Sequence, residues 1–160
     1  MMLGEHVFNY ANRLEMGPTE ANFEVIPEAY FQGRWFEQKT DDGMTVSTIT
    51  EGSSMYFKFE GAYLEIDFKI LQTMGIIAVS IDHQSYRKMP ATEHCIISKH
   101  LDPGEHNVRI VVDAIKETDD VWFGGKGLAV KAITTTNAHP IKPTNKVAWF
   151  LGDSITAGIH

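Results

Sequence analysis

The chain has 160 residues, 43% hydrophobic and 22% charged, with a formal net charge of −7 and a pI near 5.4. That balance suits one soluble globular domain with short flanking segments. The acidic surplus excludes a nucleic-acid partner and an anionic membrane surface, both of which need clustered Lys and Arg, and no apolar run nears the roughly 20 residues that span a bilayer.

From Met1 to Gly17, Leu3, Val7, Tyr10 or Ala11, and Leu14 recur at helical spacing until Gly17-Pro18 breaks the pattern. Residues 1–28 therefore read as an N-terminal arm. The start lacks the basic and apolar regions of a signal peptide, and the lone Cys95 has no disulfide partner. Both features predict a reducing, cytoplasmic setting.

Residues 29–136 alternate with the period of strands. Met55, Phe57 and Phe59 share one face, Glu60-Gly61 predicts a turn, and Leu64, Ile66 and Phe68 share the next face. Gly75 to Ile81 is almost continuously apolar and ends at a turn, Asp82-His83. Asp102-Pro103-Gly104 carries turn chemistry: proline presets φ and glycine accepts a positive value. Val108, Ile110 and Val112 then alternate, and Gly124 to Gly127 separates Val121-Trp122-Phe123 from Leu128, Val130 and Ala132. Many short strands with frequent turns and no intervening helix predict an all-β fold. We expect an antiparallel β-sandwich of jelly-roll, galactose-binding-like type.

The pattern changes at Asn137. Residues 137–145, with Pro140 and Pro143, read as an extended linker. Within 146–160, Val147 to Leu151 is apolar without alternation, as in a parallel strand covered on both faces. Gly152-Asp153-Ser154 ends that strand and Ile155 to Gly158 begins a helical pattern. A strand, a turn and a helix start open an α/β domain, of which these residues form a first stub.

Phe150-Leu151-Gly152-Asp153-Ser154-Ile155-Thr156-Ala157-Gly158 resembles the first sequence block of the SGNH (GDSL-like) hydrolases. The resemblance implies that Ser154 is the catalytic nucleophile and that its N–H is one oxyanion donor, while Gly152 and Asp153 complete the nucleophile turn. Thr156 departs from the lipase elbow, which needs glycine there. The family's later oxyanion glycine and asparagine and its Asp-x-x-His pair have no counterpart in these residues. His160 follows Ser154 too closely to be the base.

The segments before it resemble the N-terminal jelly-roll domain of family 2 carbohydrate esterases. The matching stretches are Phe31-Gln32-Gly33-Arg34-Trp35, an early hairpin from Gly52 to Gly61, and Leu101 to Val108. His83 stands where that family's turn would have glycine. The resemblance implies a parent that removes acetyl groups from carbohydrate, with no cofactor. It also implies that this chain's partner is the missing catalytic domain of the same polypeptide and that the isolated chain is inactive. Val147 to Leu151, an apolar strand without parallel neighbours, predicts packing on its own sandwich or on a second copy. The alternative is a non-catalytic carbohydrate-binding or structural module.

Among the aromatic residues Trp35, Tyr63, Tyr86, Trp122 and Phe123, Tyr86 and Trp122 flank turn-like segments and are the candidates for stacking on sugar. His94, His100 and His106 lack zinc-type spacing, so no metal site is expected. Asp41-Asp42 and Glu117 to Asp120 read as solvated turns, without the ligand order of a calcium loop.

Overall fold

A computed structural model describes residues 19–71, 73–115 and 127–144. The described strands are β1 (Thr19–Phe23), β2 (Ile26–Gly33), β3 (Trp35–Thr40), β4 (Gly43–Thr48), β5 (Ser54–Lys69), β6 (Ile76–Ile81), β7 (Arg87–Pro90), β8 (Cys95–Ser98), β9 (Glu105–Ala114) and β10 (Leu128–Pro140). Neighbours pair antiparallel in the order β3-β4-β10-β5-β9-β6-β7, with β2 and β8 also on β5, and β1 on β2. The expected all-β fold is the one observed.

The sheet curls because β5 serves both of its halves. Ser54 to Glu60 pair with β9, and Tyr56, Met55 and Ser54 pair with β2. Beyond Gly61, Leu64 to Ile66 pair with β8, and residues on both sides of the glycine, from Phe57 to Lys69, pair with β10. Inward residues of both halves form one core: Phe31, Phe57, Phe59, Leu64, Ile66, Phe68, Ile77, Val108, Ile110 and Val130 are all buried. Each such large side chain contributes roughly 1.5–3 kcal/mol on leaving water. Phe31 meets Trp35 edge-on at 4.9 Å, and the buried indole N–H donates to the Gln32 carbonyl at 3.1 Å.

Three local expectations are corrected. Glu60-Gly61 is not a hairpin turn, because β5 continues through it. Gly61 takes a positive φ of 90° and donates its N–H to the Gly104 carbonyl at 2.9 Å, so the glycine bends the strand from one half into the other. The sheet also begins before residue 29, since β1 and the start of β2 lie in what the sequence presents as an arm. At the other end Asn137 does not stop β10. It takes a φ of 49° at a register shift, and His139 and Pro140 resume pairing with Lys58 and Phe57. Asparagine tolerates that left-handed geometry, so a bulge resembles a strand end when read from sequence.

Gly127 admits no other residue at the entry to β10. At its φ of 121°, an added Cβ would lie 2.2 Å from the Thr48 carbonyl oxygen.

Candidate functional site: an aromatic and guanidinium face

The outward residues of the β2-β5-β9-β6 half form a row. Register places Tyr30 opposite Tyr56, Tyr56 opposite Arg109, and Arg109 opposite Ser80. Tyr56 points out because its neighbours Met55 and Phe57 point in. The Arg109 guanidinium carbon lies 5.3 Å from the centre of the Tyr56 ring and 5.7 Å from that of Tyr86. The cation is thus held between two aromatic rings. Tyr56 donates its hydroxyl to Gln32 Oε1 at 3.2 Å, and Lys142 Nζ lies 5.9 Å from the Tyr30 ring centre. Tyr86 is 46% exposed and Arg109 is also exposed, so a ring face and several N–H donors meet solvent side by side.

Tyr86 is held by the turn that precedes it. Asp82 and His83 have φ of 51° and 60°, and Gln84 N–H donates to the Ile81 carbonyl at 3.1 Å, which is the type I′ pattern. Ser80 Oγ donates to the Gln84 carbonyl at 2.6 Å. His83, in place of glycine, adopts the left-handed conformation that glycine would occupy without strain.

Asp82 anchors this turn to β9. Its Oδ1 accepts the Asn107 N–H at 2.9 Å, and its own N–H donates to the Asn107 carbonyl at 2.9 Å. His106 Nδ1 lies 2.7 Å from Asp82 Oδ2, and His106 Nε2 lies 2.8 Å from the Asp102 carbonyl oxygen. Neither the carboxylate nor the carbonyl can donate, so both contacts are hydrogen bonds only in the imidazolium form, which this geometry favours. Asp82, and then the Asp102 carbonyl, hold its pKa above the usual value. Desolvation pushes the Asp82 carboxyl up, but His106 and the Asn107 N–H outweigh it and hold the carboxyl below its usual value. His106 is a buried structural histidine.

Of the expected sugar-stacking residues, Tyr86 lies on this face and Trp122 lies outside the described residues. So do Gly152, Asp153 and Ser154, with the strand before them, and the helical pattern of 1–17. Trp35 belongs to the core. Arg109 and Tyr56 were not legible as site residues, because only the register between β5 and β9 joins them.

The backbone path can now be compared with solved structures. The chain shares its fold with part of a family two carbohydrate esterase. That enzyme, from Cellvibrio japonicus, superposes at a TM-score of 0.54 with 19% identity, over 79% of this chain and 36% of the esterase. A two-domain esterase active on acetylated mannans matches at 0.50 and 14%, over 76% of this chain and 36% of the enzyme. A family 35 carbohydrate-binding module from Clostridium thermocellum matches at 0.48 and 13%, over 76% of this chain and 98% of the module. The chain therefore spans about a third of the length of either esterase. No protein-family model matches the chain, and no curated protein does.

Proposed function

We propose that this β-sandwich is the accessory domain of an SGNH-type serine ester hydrolase that deacetylates carbohydrate, and that it holds the glycan on the Tyr86–Arg109 face. The observation that carries the reading is the Arg109 guanidinium lying between the Tyr56 and Tyr86 rings, with Tyr86 open to solvent. An aromatic face receives the C–H face of a sugar ring, and a fixed guanidinium donates to its hydroxyl or acetyl carbonyl oxygens. A donor-rich patch suits acetyl esters, which only accept. The esterase resemblance of the fold and of the Gly152-Asp153-Ser154 block supports the parent reaction. In it, the Ser154 hydroxyl would give its proton to a base of the catalytic domain and attack the ester carbonyl. The C–O bond to the sugar would break with release of the protonated sugar hydroxyl, and water would then hydrolyse the acyl-enzyme.

The test is titration of the chain with acetylated and deacetylated xylo- and manno-oligosaccharides, followed by NMR or calorimetry. Tyr86→Ala is expected to weaken binding about tenfold or more while leaving Tm unchanged, as for the loss of one stacking residue. Binding that is absent, or identical in Tyr86→Ala and Arg109→Gln, removes the glycan-holding role and leaves a structural module. An activated acetyl ester tests the catalytic assignment separately. The chain alone is expected to give no turnover, and turnover abolished by Ser154→Ala would show that it needs no further catalytic parts.

A further inference from the structure

The other half of the sheet holds a second cluster, unrelated to the glycan face. Glu65 and Asp67 stand two residues apart on β5, between the inward Leu64, Ile66 and Phe68, so both carboxylates leave the same face. Pairing of β8 with β5, Glu65 opposite Ile96 and Ile66 opposite Cys95, brings the preceding turn over them. His94 in that turn places Nδ1 2.9 Å from Asp67 Oδ1 and 3.3 Å from Glu65 Oε1. The Tyr63 hydroxyl donates to the other oxygen of Glu65, Oε2, and so fixes Oε1 toward His94.

We propose that Glu65, Asp67 and His94 bind a divalent transition-metal ion of zinc type. The first support is spacing. The three ligand atoms lie within 4.8 Å of one another. Ligands at about 2.0–2.2 Å from such an ion stand about 3.3–3.6 Å apart in a tetrahedral site, so the 3.3 Å contact at His94 fits as it stands and the 2.9 Å contact must open slightly. The second is charge. Among the described residues His94 is the ion-pair partner of both carboxylates, and their side chains are only 18% and 24% exposed. Two half-buried carboxylates converging on one point, with Lys131 as a further cation acting on Asp67, present negative charge that an ion of charge two would meet.

The third support is access. A cleft of about 120 Å³ opens beside the cluster, lined by Asp42, Asp67, Glu93 and His94 together with Lys69 and Lys131. An imidazole among the ligands selects zinc, cobalt, nickel or copper over calcium and magnesium, which prefer oxygen alone. The Tyr63 bond has the orienting role of a second coordination shell. A spacing rule along the sequence misses this set, since His94 lies 27 residues beyond Asp67.

The experiment uses the full chain without an affinity tag, Co²⁺ as a visible-absorption probe and Zn²⁺ as its competitor. The expected result is one Co²⁺ per chain with a d–d band, displaced by Zn²⁺ and not by equal Ca²⁺. His94→Ala and Asp67→Asn are expected to weaken binding about tenfold or more, and Tyr63→Phe about tenfold. Melting curves in chelator check that each variant is folded, and Glu65→Gln replaces any that is not. No saturable Co²⁺ binding, affinity unchanged in folded His94→Ala, or Ca²⁺ competing as well as Zn²⁺ would each overturn the proposal.

Discussion

Asp82 and His106 form a buried-edge ion pair that ties the turn carrying Tyr86 to the first residues of β9, at 2.7 Å between Oδ2 and Nδ1. Asp82 also donates its backbone N–H to the Asn107 carbonyl and accepts the Asn107 N–H on its carboxylate, so three contacts converge on a residue in the left-handed region. A strained turn persists where its surroundings over-determine it.

The pair gives a signed dependence on pH. His106 has a raised pKa when folded, so its contribution is whole below its unfolded value of 6.5 and is lost as pH climbs through the folded value. Asp82 has a lowered pKa, so its contribution is present above 3.8 and is lost as pH falls through the folded value. The window of full stabilisation therefore lies between 3.8 and 6.5. Asp82→Asn keeps a residue that tolerates positive φ and removes the charge. We expect it to cost about 1–2 kcal/mol inside that window. Urea midpoints across pH check this, and a wild-type-to-variant gap that stays constant with pH would contradict it.

His83→Gly should stabilise the chain. A left-handed residue with a Cβ costs about 1–2 kcal/mol, and glycine's extra unfolded-state entropy returns about 0.5–1 of that. The side chain of His83 is exposed, so little packing is lost. The net expectation is a gain of about 0.5–1 kcal/mol in urea unfolding, and a loss of stability would show that the imidazole makes a contact of its own.

Gly127→Ala should do the opposite. Its Cβ would meet backbone atoms of Thr48, which cannot swing aside as a side-chain tip can. Strain and displacement of β10 from β4 together are expected to cost at least about 2–3 kcal/mol, read as a fall in Tm.

Arg109 and Tyr86 should be energetically coupled. A double-mutant cycle of Arg109→Gln and Tyr86→Ala is expected to return about 0.5–1 kcal/mol of interaction. Arg109→Lys should fail to restore it, since an ammonium lacks the planar surface that stacks on both rings. Additive single effects would mean that the rings and the guanidinium do not depend on one another.

The parts legible from sequence are those set by period and by turn chemistry. Val108, Ile110 and Val112 alternate and are buried, and Pro103-Gly104 precedes β9 where proline and glycine place it. What misled were residues whose one local signal serves two ends. Gly61 has the chemistry of a hairpin and bends a continuous strand, and Asn137 has that of a strand end and makes a bulge. Both depend on partners far along the chain, Gly104 for one and Lys58 beyond the other. Site residues follow the same logic. The exposure of Tyr86 was legible from the turn before it, whereas the neighbours of Arg109 and His94 follow only from the register of β9 and β8.

β10 is the last described strand to be synthesised, yet it lies between β4 and β5 and is not at the rim. Until it is made, β4 has β3 on one side and a row of open amides on the other. The β3–β4 pair can therefore join the rest of the described sheet only once β10 has been synthesised.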